Sequence, residues 1–170
     1  CYTCHSQMIR PFRAETERYG DFSRSGEFVY DHPFQWGSKR IGPDLARVGK
    51  RNLSNAWHYE HLMDPRSTSP TSIMPEYSYM AESKVKGKWI KSSIKTLSKV
   101  GVPYTAEQID NAYIDAMAQA EGIQKDLQSS GIEIAKDAEI IALIAYLQRM
   151  GTDFNPDDEK VIKIPVTTEV

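Results

Sequence analysis

The chain has 170 residues, 40% hydrophobic and 26% charged, with 10 Gly and 9 Pro, a composition that excludes a disordered or collagenous protein and fits one globular domain. Lys and Arg number 21 against 23 Asp and Glu, and no aromatic-interleaved basic surface accompanies the lysines, so no nucleic-acid partner is expected. The longest strongly apolar stretch, Ile140 to Leu147, falls well short of the roughly 18 to 20 residues that cross a bilayer.

The segment Cys1 to Arg10 is expected to be helical until Pro11 stops it. Cys1 is no translational start, and no leader pattern is visible, so a signal, an anchor or a helix is expected before it. Residues 12 to 55 carry turn formers at Gly20, Gly26, Gly37, Gly42-Pro43 and Gly49 and predict a long wrapping loop with only short helical pieces. A short helix is predicted over Asn55 to Met63, started by Ser54 or Asn55 and ended before Pro65. A Pro-punctuated loop, Asp64 to Tyr77, follows.

Lys84 to Val100 predicts a basic amphipathic helix with Ile90, Ile94 and Leu97 on one side and Gly101 as its stop. The next helix has explicit start chemistry: Thr105 as N-cap, Gln108 completing a capping box, and Tyr104 with Ile109 as a hydrophobic staple. Its buried stripe is predicted as Ile109, Ala112, Tyr113, Ala116, Met117 and Ala120, fading through Ile123 and Leu127 to a stop at Gly131. In the last helix Asp137 is the expected cap, Ile140, Leu143, Ile144 and Leu147 repeat at helical spacing, and Gly151 stands at the C′ position. Val161 to Pro165 reads as an extended tail or an edge strand. The fold class is therefore mostly α. The charge is split along it: residues 1 to 100 hold 16 basic and 10 acidic residues, and 101 to 170 hold 5 and 13, so that the two halves are expected to present opposite faces.

Cys1-Tyr2-Thr3-Cys4-His5 is C-x-x-C-H, the attachment pattern of c-type heme. On a helix-like turn the two sulfurs reach the two vinyl groups of one porphyrin and form thioethers, while the adjacent imidazole is brought under the iron. The other readings are a thioredoxin-like thiol pair, which wants a βαβ context, and a zinc site, for which His58 and His61 at i, i+3 could supply the missing ligands. A lipidated Cys1 would leave the C-H spacing unexplained.

The distal iron ligand must come from Met8, Met63, Met74, Met80, Met117, Met150 or another histidine. Met117 and Met150 lie on apolar helical faces and read as core filler, and Met8 is too near His5 to cross the ring. Met74, in Ser72-Ile73-Met74-Pro75, has no helical stripe to serve and is the first choice, with Met63 and Met80 behind it and His58 or His61 as the bis-histidine alternative. A Met/His pair raises the reduction potential and fills both axial positions, which favours electron transfer over oxygen chemistry. The turn Ile41-Gly42-Pro43-Asp44 is a candidate source of the carbonyl that fixes the His5 ring. Trp57, Tyr59, Tyr77 and Arg47 are candidates for closing the heme edge and meeting the propionates.

The motif at Cys1 to His5, together with Ile41-Gly42-Pro43-Asp44-Leu45, Trp57-His58-Tyr59-Glu60-His61-Leu62, Asp64-Pro65-Arg66, Ser72 to Pro75 and the terminal helix, resembles a class I cytochrome c domain. More closely, the chain resembles the mono-heme subunit II of cbb3-type cytochrome c oxidases. The resemblance implies one covalent heme c on Cys1 and Cys4, with His5 and Met74 as axial ligands. It further implies a single cytochrome c domain over residues 1 to 170 with a helical insertion at about 82 to 136, and an N-terminal helix and membrane anchor outside the chain. The heme domain would lie on the periplasmic side of the bacterial inner membrane. It would relay electrons from a di-heme c-type subunit or a soluble donor cytochrome to the heme-copper catalytic subunit, with no catalytic turnover of its own. Other expected functions are an anchored or free c-type electron carrier, including a nitric oxide reductase cytochrome subunit, and a non-heme metal or thiol-redox domain.

Overall fold

A computed structural model of the chain describes residues 1, 3–33 and 39–153. Its helices in chain order are α1 (Arg13–Tyr19), α2 (Asn55–Met63), α3 (Pro65–Thr68), α4 (Tyr79–Glu82), α5 (Gly87–Lys99), α6 (Ala106–Ser129) and α7 (Glu139–Arg149), with 3-10 turns at Ser25–Phe28 and Val48–Arg51. The mostly α class is as expected, and no strand occurs among the described residues. No described helix is long and apolar enough to cross a membrane. The expected tail at Val161 to Pro165 lies outside the described residues.

The core is built on α7, which packs against α2, α4, α6 and the 48–51 turn. Ile140, Ile141 and Ile144 of α7 are fully buried with Leu127 of α6, beside Leu62 of α2 and Ala120 of α6. Each such aliphatic side chain contributes about 1.5–3 kcal/mol by leaving water. Neighbours on several sides widen the buried face of α7, so Ile141 joins the predicted stripe while Leu143 and Leu147 are only half-buried. Leu127, where the sequence pattern fades, is completely enclosed because the end of α6 turns onto this cluster.

Local start signals hold where their partners are a turn away. Ser54 accepts from Trp57 N at 3.0 Å and opens α2 at Asn55. Thr105 and Gln108 form the reciprocal capping box of α6, with bonds of 2.9 and 3.2 Å. Gly151 follows α7 at φ +75°, and a Cβ there would come within 2.2 Å of the Ala46 carbonyl, so a side chain is excluded by both conformation and space.

Five expectations are corrected. Cys1 to Arg10 is not a helix: one turn closes through His5 N to Cys1 O at 2.8 Å. The chain then runs beside residues 42–45, with Gly42 N donating to Cys4 O and Leu45 N to Ser6 O, and these tertiary bonds replace the helical ladder. Asp137 does not cap α7; its carboxylate pairs with Lys84 at 3.0 Å, its carbonyl accepts from Val85, and Ala138 occupies the cap position. The same contact holds Lys84 in an isolated bridge with Ala138 and delays α5 until Gly87. Tyr113 is 47% exposed rather than core, its ring lying over Gly87, where a Cβ would come 2.5 Å from it. The charge split does not separate into two faces throughout, because Lys84–Asp137 and Lys91–Asp110 join the basic and acidic halves.

Candidate functional site

Cys1 and Cys4 are free, exposed thiols on the single turn that ends at His5. His5 Nδ1 donates to the Pro43 carbonyl at 2.8 Å. That bond sets the tautomer and leaves Nε2 as the acceptor available to a metal. The ring rests on Gly42, where a Cβ would sit 2.2 Å from His5 Cε1, so the backbone of residues 41–43 forms a cradle only glycine can line. The turn suggested by sequence as the source of the carbonyl is the one that supplies it.

Behind this turn lies a charged cluster absent from the sequence reading. Asp44, fully buried, accepts from the Ser6 hydroxyl, from Met8 N at 3.2 Å and, through its other oxygen, from Ala46 N at 2.8 Å. Arg40 bridges Asp44 at 3.3 Å and Glu15 at 2.8 Å and also donates to Ser6 Oγ and the Met8 carbonyl. No local motif announces it, since Glu15 comes from α1 and Arg40 from a loop 25 residues later. The Arg40 guanidinium, helped by Arg10 and opposed by burial, holds the Glu15 carboxyl well below its usual 4.5, at about 2. Because the folded state resists the proton that the unfolded chain accepts, this stabilisation is complete above pH 4.5 and lost as pH falls toward 2. Chemical unfolding at stepped pH is expected to show this loss in the native protein and a flatter profile in Glu15→Gln.

Met74 is half-buried and packs against the core cluster, as do Met63, Met80 and Met117. Its loop is tied down by Tyr77 N donating to Leu62 O at 2.8 Å and by Arg66, which pairs with Asp64 and Glu76. Ile73 beside it is 81% exposed, so this loop presents one apolar side chain to solvent and the next to the interior.

His58 and His61 share α2 with Trp57, whose ring stacks on His61 at 4.7 Å and meets His58 edge-on at 5.4 Å. Burial pushes both imidazoles below their usual pKa, His58 further through the charge of His61 and His61 through that of His5. Both are thereby favoured as neutral rings. His61 shares a hydrogen bond with the Thr68 hydroxyl, while His58 Nε2 is buried without a protein partner. Among the described residues no group of three or more His, Cys, Asp or Glu forms a metal site, so the zinc alternative gains no geometric support. Arg47, a candidate for the propionates, is instead buried and bidentate to Glu27 at 2.6 and 2.8 Å, the partner an enclosed guanidinium requires. Tyr59 and Tyr77 pack on the core.

Two thiols and an oriented imidazole on one turn, carried by a helical scaffold, define a protein of the cytochrome c class. The model of the family described as cytochrome c oxidase mono-heme subunit, FixO, matches residues 1–154, and the chain belongs to that family, an accessory electron-transfer subunit, with a heme, of the cbb3-type oxidase membrane complex. A comparison with curated proteins finds no match.

Proposed function

We propose that the chain holds one covalent heme c, with thioethers to Cys1 and Cys4 and with His5 and Met74 as the axial ligands. It passes electrons from the di-heme c-type subunit, or from a soluble donor cytochrome, to the heme-copper catalytic subunit of the oxidase. In this reading the domain sits on the periplasmic face of the bacterial inner membrane, held by an anchor N-terminal to Cys1, and the helices between about 82 and 136 are an insertion in a single cytochrome c domain.

The observation that carries the reading is the His5 ring, seated on Gly42 and donating through Nδ1 to Pro43 O at 2.8 Å, beside two free thiols. The residues fit the group: soft and imidazole donors suit iron, and the ring nitrogen not engaged by Pro43 is the one that would bind it. When bound, the heme supplies a one-electron couple at its iron. Cys1 and Cys4 would hold it, Pro43 O would make His5 a stronger donor, and Met74 would supply the second iron ligand.

The test is the visible spectrum of the full-length subunit. A reduced c-type absorption that survives acid-acetone extraction is expected, together with a sulfur-to-iron band at the red end of the oxidised spectrum. Met74→Ala is expected to abolish that band while Met63→Ala and Met80→Ala keep it. Persistence of the band in Met74→Ala overturns the axial assignment, and a colourless protein overturns the heme.

A further inference from the structure

We infer that Asp44, held by Arg40, is a positioning residue for the proximal imidazole: it locks the segment that follows His5 to the turn that carries the Pro43 acceptor and so sets the donor strength of His5. The inference rests on the heme reading above. Asp44 immediately follows Pro43, and its carboxylate takes the Ser6 hydroxyl and Met8 N, the residues that follow His5. Its other oxygen holds Ala46 N, closing the turn on itself.

The two segments are thus joined on both sides of His5. Gly42 N donates to Cys4 O at 2.9 Å before it, Leu45 N donates to Ser6 O at 2.8 Å after it, and the Asp44 carboxylate accepts from Ser6 and Met8 across the same pair of segments. The His5 to Pro43 bond is the side-chain crosslink inside that frame.

Arg40 and Arg51 brace the frame from outside. Arg40 stacks over the Tyr19 ring at 5.0 Å and reaches Asp44, Ser6 and the Met8 carbonyl. Arg51 stands at 5.7 Å from the same ring and donates to the Asp44 carbonyl at 2.9 Å. A carboxylate with no solvent exposure is costly unless it is paired and hydrogen-bonded, and here Arg40 pairs it while its bonds to Ser6 and Met8 N tie the turn to the segment that follows His5. An acceptor held firmly on Nδ1 gives the imidazole more anionic character and favours the oxidised iron, and a nearby buried negative charge acts in the same direction.

The experiment uses the full-length subunit with its heme and compares native protein with Asp44→Asn and Ser6→Ala. Covalent heme is measured first as the pyridine hemochrome; its absence from the native protein would refute the heme reading rather than this inference. With heme present, Asp44→Asn is expected to raise the midpoint potential and shift the His5 ring protons in the paramagnetic NMR spectrum, while the sulfur-to-iron band is kept. Ser6→Ala is expected to move both readouts the same way by less. A variant with reduced thermal stability but native potential and native His5 signals makes Asp44 structural only and overturns the inference, as does a lowered potential. If Asp44→Asn does not fold, Ser6→Ala decides alone, and native values in both readouts overturn it.

Discussion

Replacing Cys1 and Cys4 together by serine is expected to yield a subunit from which acid-acetone removes all heme, and which gives no heme-stained band on a denaturing gel. A hydroxyl does not form the thioether, and no other cysteine is present in the chain. Each single variant retains one tether and is expected to keep a stained band with a shifted reduced absorption, because one vinyl group remains unreacted. A stained band from the double variant would place the attachment elsewhere and remove the basis for the relay. The effect is large because the thiols would anchor the group that does the chemistry, on a turn that Cys4 N and His5 N close on the Cys1 carbonyl at 3.0 and 2.8 Å.

Gly42→Ala is expected to be the most damaging single-methyl change near the site. The added Cβ would lie 2.2 Å from His5 Cε1 and 2.7 Å from Nδ1, and the ring cannot yield freely while Pro43 holds it. Overpacking of this kind costs about 1–3 kcal/mol, and here the strain falls on the proximal ligand. Denaturant unfolding of the heme-loaded protein should show that loss, together with a disturbed His5 NMR signature. Gly122→Ala supplies the contrast: it lies inside α6 with nothing within 4 Å of the added methyl, and helix propensity predicts a gain of about 0.5–1 kcal/mol. Equal effects at the two positions would show that the cradle is looser than its distances indicate.

The parts legible in sequence are those whose partners lie within a turn. Ser54 and Trp57, or Thr105 and Gln108, are three residues apart, so spacing carries the geometry. Asp137 shows the limit: its identity suits a cap, but Lys84, distant in sequence, offers a charge that competes for the same carboxylate. Tyr113 shows another, since helical periodicity places it in the buried stripe without revealing that its ring lies over Gly87 and stays 47% exposed. Arg47 reads in sequence as a candidate for the propionates, yet its guanidinium is taken by Glu27, which arrives from a 3-10 turn.

The sequence by itself determined the donor set, two thiols and an imidazole within five residues, and the starts of α2 and α6, because covalent spacing and single-turn hydrogen bonds need no distant partner. Only the tertiary structure decided that the opening segment leaves the helical path, that Pro43 rather than a neighbour accepts from His5, and that Asp44, Arg40 and Glu15 converge behind it. The physical reason is burial: a carboxylate, a guanidinium and a carbonyl removed from water must find one another, and which of them meet is set by how the loop before α2 wraps onto the first ten residues.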